Sequence, residues 1–547
     1  MGKDPSLIDP ASKGSLSMDT AGKDPSPVDA DDMSDTSTDS RTEPPNELSA
    51  CQVVDPDELV HYGMVSLCEK REQSESGPLR WGPQYLYHPR PSLLDRVFMR
   101  ESGEMIRGFF NLLWVFAAFF TAASFVSSMR MHGSALNTSL FYLSTTHLGD
   151  LFFWDACMIL GMTPIVLWCK ACSLGWIPAG PIDWGTRLAF ELIFTGVGLQ
   201  WTRTSTWPWV QRTFFSLHTM VLAMKIHSYG ARNAIFREKK DELSDLEEEE
   251  RILSSHTLRG PHETQRYREV TSRVEELQMN LRCTKDTIYP DNLTIRNWAD
   301  YLALPVLIYE LSYPRTTRIR PGFVLEKFLG TVGCIFLLYT CIESHAIPYL
   351  HVATHKSFWV ALPQLLPVFL VIYLLGFYII FEGICPGFAE ISRFADRHFY
   401  DDWWNSDSWD QFARRWNKPV HHFLLRHIYH PLRDEVGMTK SHANFATFLF
   451  SSIFHEIFMY VVVGQPKGFL FAMQMCQLPL TWMGNVLGRR FVTFWGNAIF
   501  WIGLSIGPVL LTYGYTVDYL KEMGKAEPGS FLLPIEGNDA DTQNFAL

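Results

Sequence analysis

The sequence predicts an all-α polytopic membrane protein, with about nine transmembrane helices and further helices lying at the membrane interface. Three observations carry that prediction. Apolar runs long enough to cross a bilayer recur along the chain, the clearest being FFNLLWVFAAFFTAASFV at 109–126. Only 19% of the 547 residues are charged while 14% are aromatic, a balance that favours lipid over water. One long segment, 383–440, interleaves aromatic with charged residues, the composition of a chain whose Trp and Tyr rings rest at headgroup level.

Residues 1–95 form an acidic N-terminal tail and a pre-membrane segment. Up to about residue 75 the tail is rich in Asp, Ser, Pro and Thr and has too little apolar surface to offset its ordering entropy. It is expected to be disordered and cytosolic. It has no apolar core of the signal-peptide kind, so the first span is expected to act as the targeting signal. Residues 96–230 hold the first spans, at 109–126, 151–169, 209–225 and, more weakly, 188–199. After a polar insert, 231–300, a second transmembrane region covers 301–520, with spans at 324–342, 358–381, 443–463, 469–487 and 491–513. A tail, 521–547, ends the chain.

Nine alternating spans from a cytosolic N-terminus put the basic residues on one side, as the positive-inside bias requires. These are Arg96, Arg100 and Arg107 before the first span, Arg232, Arg237, Lys239 and Lys240 after the fourth, and Arg489 and Arg490 between the last two. The sequon Asn137-Thr138-Ser139 then faces the lumen, as does the C-terminus. In the insert, Val270, Val274, Leu277 and Leu281 repeat at helical spacing after a break at Gly260-Pro261. A cytosolic helical hairpin or a short amphipathic helix is expected there, its charges forming a solvated face.

The net charge of −11 resides largely in the first 60 residues and in DELSDLEEEE at 241–250, and leaves no nucleic-acid footprint. The ten cysteines are scattered. Cys169 and Cys172 make a solitary CxxC without the second half of a zinc site, so structural or incidental thiols are expected and no metal.

Within 383–440, Ser408-Trp409-Asp410-Gln411 has capping-box form, and Trp409, Phe412 and Trp416 then share a face until Pro419. A second helix is expected through VHHFLLRHIYH, stopping before Pro431. Any single Trp here reads as an interfacial anchor. The density of half-buried polar side chains does not: Asp396, Arg397, Asp401, Asp402, Asn405, Asn417 and His421 are costly unless paired, and such clusters mark functional sites. His455 lies inside the 443–463 span, where an ionisable group is a functional hypothesis by default. Its bland alternative is a neutral ring hydrogen-bonded to a neighbouring helix. Ser451, one turn earlier, is placed to orient the ring.

FYDDWWN at 399–405 resembles the FYxDWWN signature of the membrane-bound O-acyltransferase superfamily, in the branch of sterol and diacylglycerol O-acyltransferases. SLHTMVLAMKIHSY (216–229), LIYELSYPRT (307–316), WNKPVHHFLLRHIYH (416–430) and the pair His455-Glu456 support the likeness, which spares the tail and the insert. FLLRHIYH and LGRRFVTFWGNAIFWIGLSIGP are more similar to the fungal sterol branch. The resemblance implies that His455 is the catalytic base, with Asn417 as its partner, and that the signature (Phe399, Tyr400, Asp402, Trp403, Trp404, Asn405) helps to bind acyl-CoA. His421, Arg414, Arg415 and Lys418 are candidate acyl-CoA contacts beside it, with Ser451 and Glu456 in support.

The residue types agree with that chemistry. A neutral imidazole can take an alcohol proton, burial would keep it neutral, and an Asn amide can steady the alcohol or donate to the developing oxyanion. Acyl-CoA is expected as co-substrate, with no cofactor. A sterol, ergosterol first, is the expected acceptor and diacylglycerol the alternative. The endoplasmic reticulum membrane, where acyl-CoA and new lipid meet, is the expected location, and the resemblance implies a homodimer or dimer of dimers. Two other classes compete: a di-iron oxidase using His421, His422, His427 and His430, and a transporter with His455 and Glu456 as a proton relay.

Overall fold

The structure, a computed structural model, describes residues 53–54, 87–93, 107–132, 139–255, 260–283, 287–355, 358–487 and 489–526. Nearly all of the N-terminal tail, Arg96, Arg100, Asn137 and Thr138 of the sequon, and the C-terminal tail from residue 527 lie outside the described residues.

The protein is all-α and polytopic. Its only strands among the described residues are β1 (Val53–Val54) and β2 (Arg315–Thr316), which pair in parallel. Helices α1 (Arg107–His132), α2 (Ser139–Thr145), α3 (Leu148–Gly161), α4 (Pro164–Ser173), α5 (Pro181–Thr204) and α6 (Trp209–Ser255) come first. Then come α7 (Pro261–Leu281), α8 (Ile295–Ala303), α9 (Pro321–Cys341), α10 (Ile347–His355), α11 (Phe358–Tyr378) and α12 (Cys385–Ile391). The interfacial segment supplies α13 (Trp409–Trp416) and α14 (Lys418–Leu424), and the chain continues through α15 (Lys440–Val463), α16 (Phe469–Met475), α17 (Gln477–Leu487) and α18 (Arg489–Ala526).

All nine apolar runs are helical, but they are not equally suited to a bilayer. Five stretches among the described residues are long and apolar enough to cross one: Phe141–Ser173, Pro321–Leu350, Phe358–Ile391, Lys440–Val463 and Trp495–Thr516. Three of the others have an identifiable departure. Helix α5 carries Asp183, Arg187, Glu191 and Arg203. Helix α6 has 47 residues, roughly 70 Å at the α-helical rise and about twice the hydrocarbon thickness, so its charged second half runs past any bilayer. The run at 469–487 is broken at Cys476 into helices of 7 and 11 residues.

That second half of α6 packs along α7, as the hairpin reading expects. Val270, Val274, Leu277 and Leu281 are all buried, and Glu249–Arg266 and Glu242–Arg273 ion pairs lace the outer side. Pro261 opens α7, where its missing N–H costs nothing.

Four π-helical turns widen the helices near the interfacial segment and its neighbours: Ile342–Ala346, Ile379–Ile384, Leu425–Tyr429 and Pro431–Glu435. The expected stop before Pro431 is therefore not observed. Pro431 begins a fresh turn and needs no N–H partner there. The main core joins α6, the 304–313 loop and the signature segment through Tyr229, Tyr301, Tyr309, Phe399, Tyr400 and Trp403. Helix α15 rests against α5, α6 and the Leu425–Tyr429 turn.

Candidate active site

The signature segment is held by its backbone before its side chains enter. The Asp401 N–H donates to Arg415 O at 2.9 Å, and the Lys418 N–H to Phe399 O at 3.0 Å, tying 399–401 to the end of α13 and the start of α14. From α18, Asn497 Nδ2 donates to Trp404 O and Ser406 O at 2.9 and 3.0 Å, and Trp501 Nε1 to Trp404 O at 3.1 Å. Sequence reasoning missed Asn497 and Trp501 as anchors; they lay within a stretch it noted only for its likeness.

Side chains of the segment then divide into buried and accessible. Phe399, Tyr400 and Trp403 are buried. Trp403 packs edge-on against Trp416, Phe377 and Phe412. The Tyr400 hydroxyl donates to Glu382 Oε1 at 2.7 Å, and the same fully buried carboxylate takes Ser92 and Lys327 Nζ, the latter at 3.1 Å. These three side chains are therefore spent inside the protein. Trp404 is half-buried and Asn405 exposed.

The polar cluster foreseen between 396 and 421 is mostly a set of pairs. Asp396 receives both Arg90 Nε and Nη2, at 3.0 and 2.6 Å. Arg397 meets Glu390 at 2.5 Å. Asp402 faces Arg415 at 3.3 Å, and Asp410 pairs with Arg414 on α13. Lys418 is buried and reaches Asp401 at 3.1 Å and His398 Nδ1 at 3.1 Å, while His398 Nε2 meets Asp401 at 2.8 Å. Lysine can only donate, so His398 accepts at Nδ1 and carries its proton on Nε2. Burial agrees, lowering the His398 pKa to about 4 against the raising effect of Asp401. Burial likewise lowers His421 to about 4, helped by Arg414, and His422 to about 3, helped by Lys418. A small open cleft of about 30 Å³ lies between Arg90, Lys418, His398, His422 and residues 305–308.

Asn417 lies between α13 and α14 and caps the latter: its Oδ1 accepts from the Val420 N–H at 3.2 Å. Its Nδ2 has no protein acceptor among the described residues. In α15, His455 Nδ1 lies 2.8 Å from Ser451 O. A carbonyl only accepts, so Nδ1 carries the proton and Nε2 keeps its lone pair. Ser451 thus orients the ring with its carbonyl. The burial expected of His455 is not found; the ring is exposed. Glu456 is turned elsewhere, accepting from the Gly468 and Phe471 N–H groups at the start of α16 and from the Tyr515 hydroxyl. Its carboxylate serves as a cap for a helix that has no acid of its own in the first turn.

The histidine group considered for iron disperses. His427 Nε2 meets Ser228 Oγ at 2.9 Å and His430 Nδ1 meets Asp434 at 3.2 Å. Among the described residues no three His, Cys, Asp or Glu side chains gather as a metal ion would require. Cys169 and Cys172 are buried free thiols.

Comparison with known proteins agrees with the geometry in extent. The sterol-acyltransferase-like protein of Schizosaccharomyces pombe, named probable sterol O-acyltransferase 2, is 34% identical over 442 residues, covering 78% of this chain and 90% of that protein. Sterol O-acyltransferase 2 of Saccharomyces cerevisiae is 32% identical over 74% of this chain and 65% of its own length. Diacylglycerol O-acyltransferase 1 of Dictyostelium discoideum is 34% identical over a shorter stretch, 44% of this chain and 39% of that protein. Residues 197–517, which include α6, the interfacial segment and α15, match the membrane-bound O-acyltransferase family. The chain belongs to the membrane-bound O-acyltransferase family.

Proposed function

We propose that the protein is an acyl-CoA:sterol O-acyltransferase, moving a long-chain fatty acyl group onto the 3β-hydroxyl of a sterol, ergosterol first, to give a steryl ester. The observation that carries this reading is the likeness to the fission-yeast protein over 90% of its length. The diacylglycerol enzyme matches only 39% of its own length. Diacylglycerol is accordingly the second acceptor to test.

In this scheme His455 Nε2 takes the hydroxyl proton as the sterol oxygen attacks the thioester carbon. The carbonyl oxygen becomes an oxyanion, and the C–S bond breaks as it collapses. The thiolate of coenzyme A leaves with the proton that His455 carried. No cofactor enters and no acyl-enzyme forms. Asn417 Oδ1 already accepts in the α14 cap while Nδ2 has no protein acceptor among the described residues, so the amide is assigned the role of donor to the oxyanion. The buried signature side chains fix the loop, and Arg414, Arg415, Asp402, Asn405 and His421, with the buried Lys418 at the cleft, are the groups proposed to meet acyl-CoA. Residence in the endoplasmic reticulum membrane with a cytosolic N-terminus, and a homodimer or dimer of dimers, complete the proposal.

The test is ester formation by membranes supplied with labelled oleoyl-CoA and either ergosterol or diacylglycerol. Sterol is expected to be acylated first, and His455→Ala to lose about 10² to 10⁴ in rate. Ester formation at the wild-type rate by His455→Ala would refute the mechanism, and preference for diacylglycerol would refute the acceptor.

A further inference from the structure

Three motifs that the chemistry does not use meet in one place. SLHTMVLAMKIHSY places Ser228, with Arg232 one turn on; LIYELSYPRT gives Tyr309 and Glu310; FLLRHIYH gives Arg426 and His427. Glu310 is buried between two guanidinium groups, its Oε1 2.7 Å from Arg426 Nη1 and its Oε2 2.8 Å from Arg232 Nη2. Next along the chain, His427 Nε2 is 2.9 Å from Ser228 Oγ, which also accepts from the Tyr309 N–H at 2.9 Å. Ser228 Oγ is thus bonded both to the His427 ring and to the 309 backbone. Burial, followed by the nearby His227, Arg426 and Arg232, keeps His427 well below the usual imidazole range. On its other side the ring meets His227 edge to face at 5.0 Å, and His227 Nδ1 meets Glu191 of α5 at 2.9 Å.

Arg426 and His427 are consecutive residues of the Leu425–Tyr429 π-helical turn. That turn continues α14, which Asn417 caps, and it is also a surface on which α15 rests. We propose that Arg426 and His427, locked by Glu310 and Ser228, are positioning residues that set the Asn417 amide relative to His455. The proposal rests on Asn417 and His455 being the reacting pair. Physically, α14 has only seven residues and is about 10 Å long, so a small rotation of its end at the turn is carried to the Asn417 end. A displacement of about 1 Å can cost about 10²-fold in rate, whereas the substrates' remote contacts are left in place.

The experiment is a double-mutant cycle on purified full-length protein, with labelled oleoyl-CoA and ergosterol. His427→Asn and Ser228→Ala each remove the anchoring bond from one side, so that one remains informative if the other fails to fold; melting temperature and elution profile report folding. Each is expected to lower kcat about 10- to 100-fold while the KM for oleoyl-CoA moves less than about threefold. In an Asn417→Ala background the same substitutions are expected to cost less than about threefold, since no amide remains to be aimed. Equal losses in both backgrounds, or a loss confined to KM, would overturn the positioning role alone. Wild-type turnover by Asn417→Ala would overturn the reacting pair and this proposal together.

Discussion

The role proposed for Asn417 divides its amide between structure and chemistry, and that division can be separated by substitution. Oδ1 holds the Val420 N–H, a cap whose loss to alanine costs about 1 kcal/mol. Asp and Ser both cap helices as well as Asn does, but neither offers the amide NH2. Asn417→Asp and Asn417→Ser are therefore predicted to melt close to wild type and to lose about 10² to 10³ in kcat, the usual worth of one oxyanion donor. A variant of either kind that melts normally and turns over normally would remove Asn417 from the chemistry. Tyr400 makes the opposite case within the signature. Its hydroxyl is spent on buried Glu382, and removing one donor from a buried carboxylate costs about 1 to 3 kcal/mol. Tyr400→Phe is predicted to lower the melting temperature, with any fall in turnover tracking the amount of folded protein. Thermal melts read beside specific activity decide it.

At the scale of elements, the interfacial segment behaves as a braced unit, and its bracing depends on pH. His398, His421 and His422 have folded-state pKa values lowered to about 4, about 4 and about 3, against about 6.5 in the unfolded chain. As pH falls below 6.5 the unfolded state binds protons that the folded state refuses until about pH 4 for His398 and His421 and about pH 3 for His422. Stability contributed by these rings is thus complete above 6.5 and lost through that window. Melting temperature is predicted to fall between pH 6.5 and 4, and less steeply in His398→Gln, whose amide can keep a polar partner without titrating. Much of this unit is legible from local pattern. Ser408 caps α13, accepting from the Gln411 N–H at 3.3 Å, and the Gln411 side chain returns to the Asp407 N–H at 3.1 Å, one residue short of the reciprocal bond that capping-box spacing predicts. The buried stripe of α7 follows from helical spacing alone. What spacing does not carry is long-range pairing: Arg90 with Asp396, Glu382 with Tyr400 and Ser92, and Asn497 with Trp404 join positions 18 to 306 residues apart. Nor does sequence reveal π-helical turns, because a single widened turn changes which neighbours meet without changing composition.

For the whole molecule, apolar length identifies a membrane protein but not how each run is used, since α5 carries paired charges into its helix and 469–487 breaks in two. The likeness of 197–517 to the family fixes the class of chemistry; the route of the acyl group is a further question that the geometry bears on. A covalent relay would need a nucleophile on the protein next to the base. Of the two serines just before it in α15, Ser451 offers His455 its backbone carbonyl, toward which Nδ1 donates, leaving Nε2 as the acceptor. Neighbouring Ser452 is buried with its hydroxyl donating to Phe448 O at 2.9 Å, and so is occupied. An acceptor hydroxyl brought by the lipid is the partner proposed for Nε2. Incubation with labelled oleoyl-CoA in the absence of sterol is therefore predicted to leave the protein unlabelled after denaturation and to release no burst of free coenzyme A, whereas addition of ergosterol starts both ester formation and coenzyme A release at equal rates. A stoichiometric burst, or label surviving on a serine or cysteine and chased into ester by sterol, would require a two-step transfer and a nucleophile other than the substrate's own oxygen.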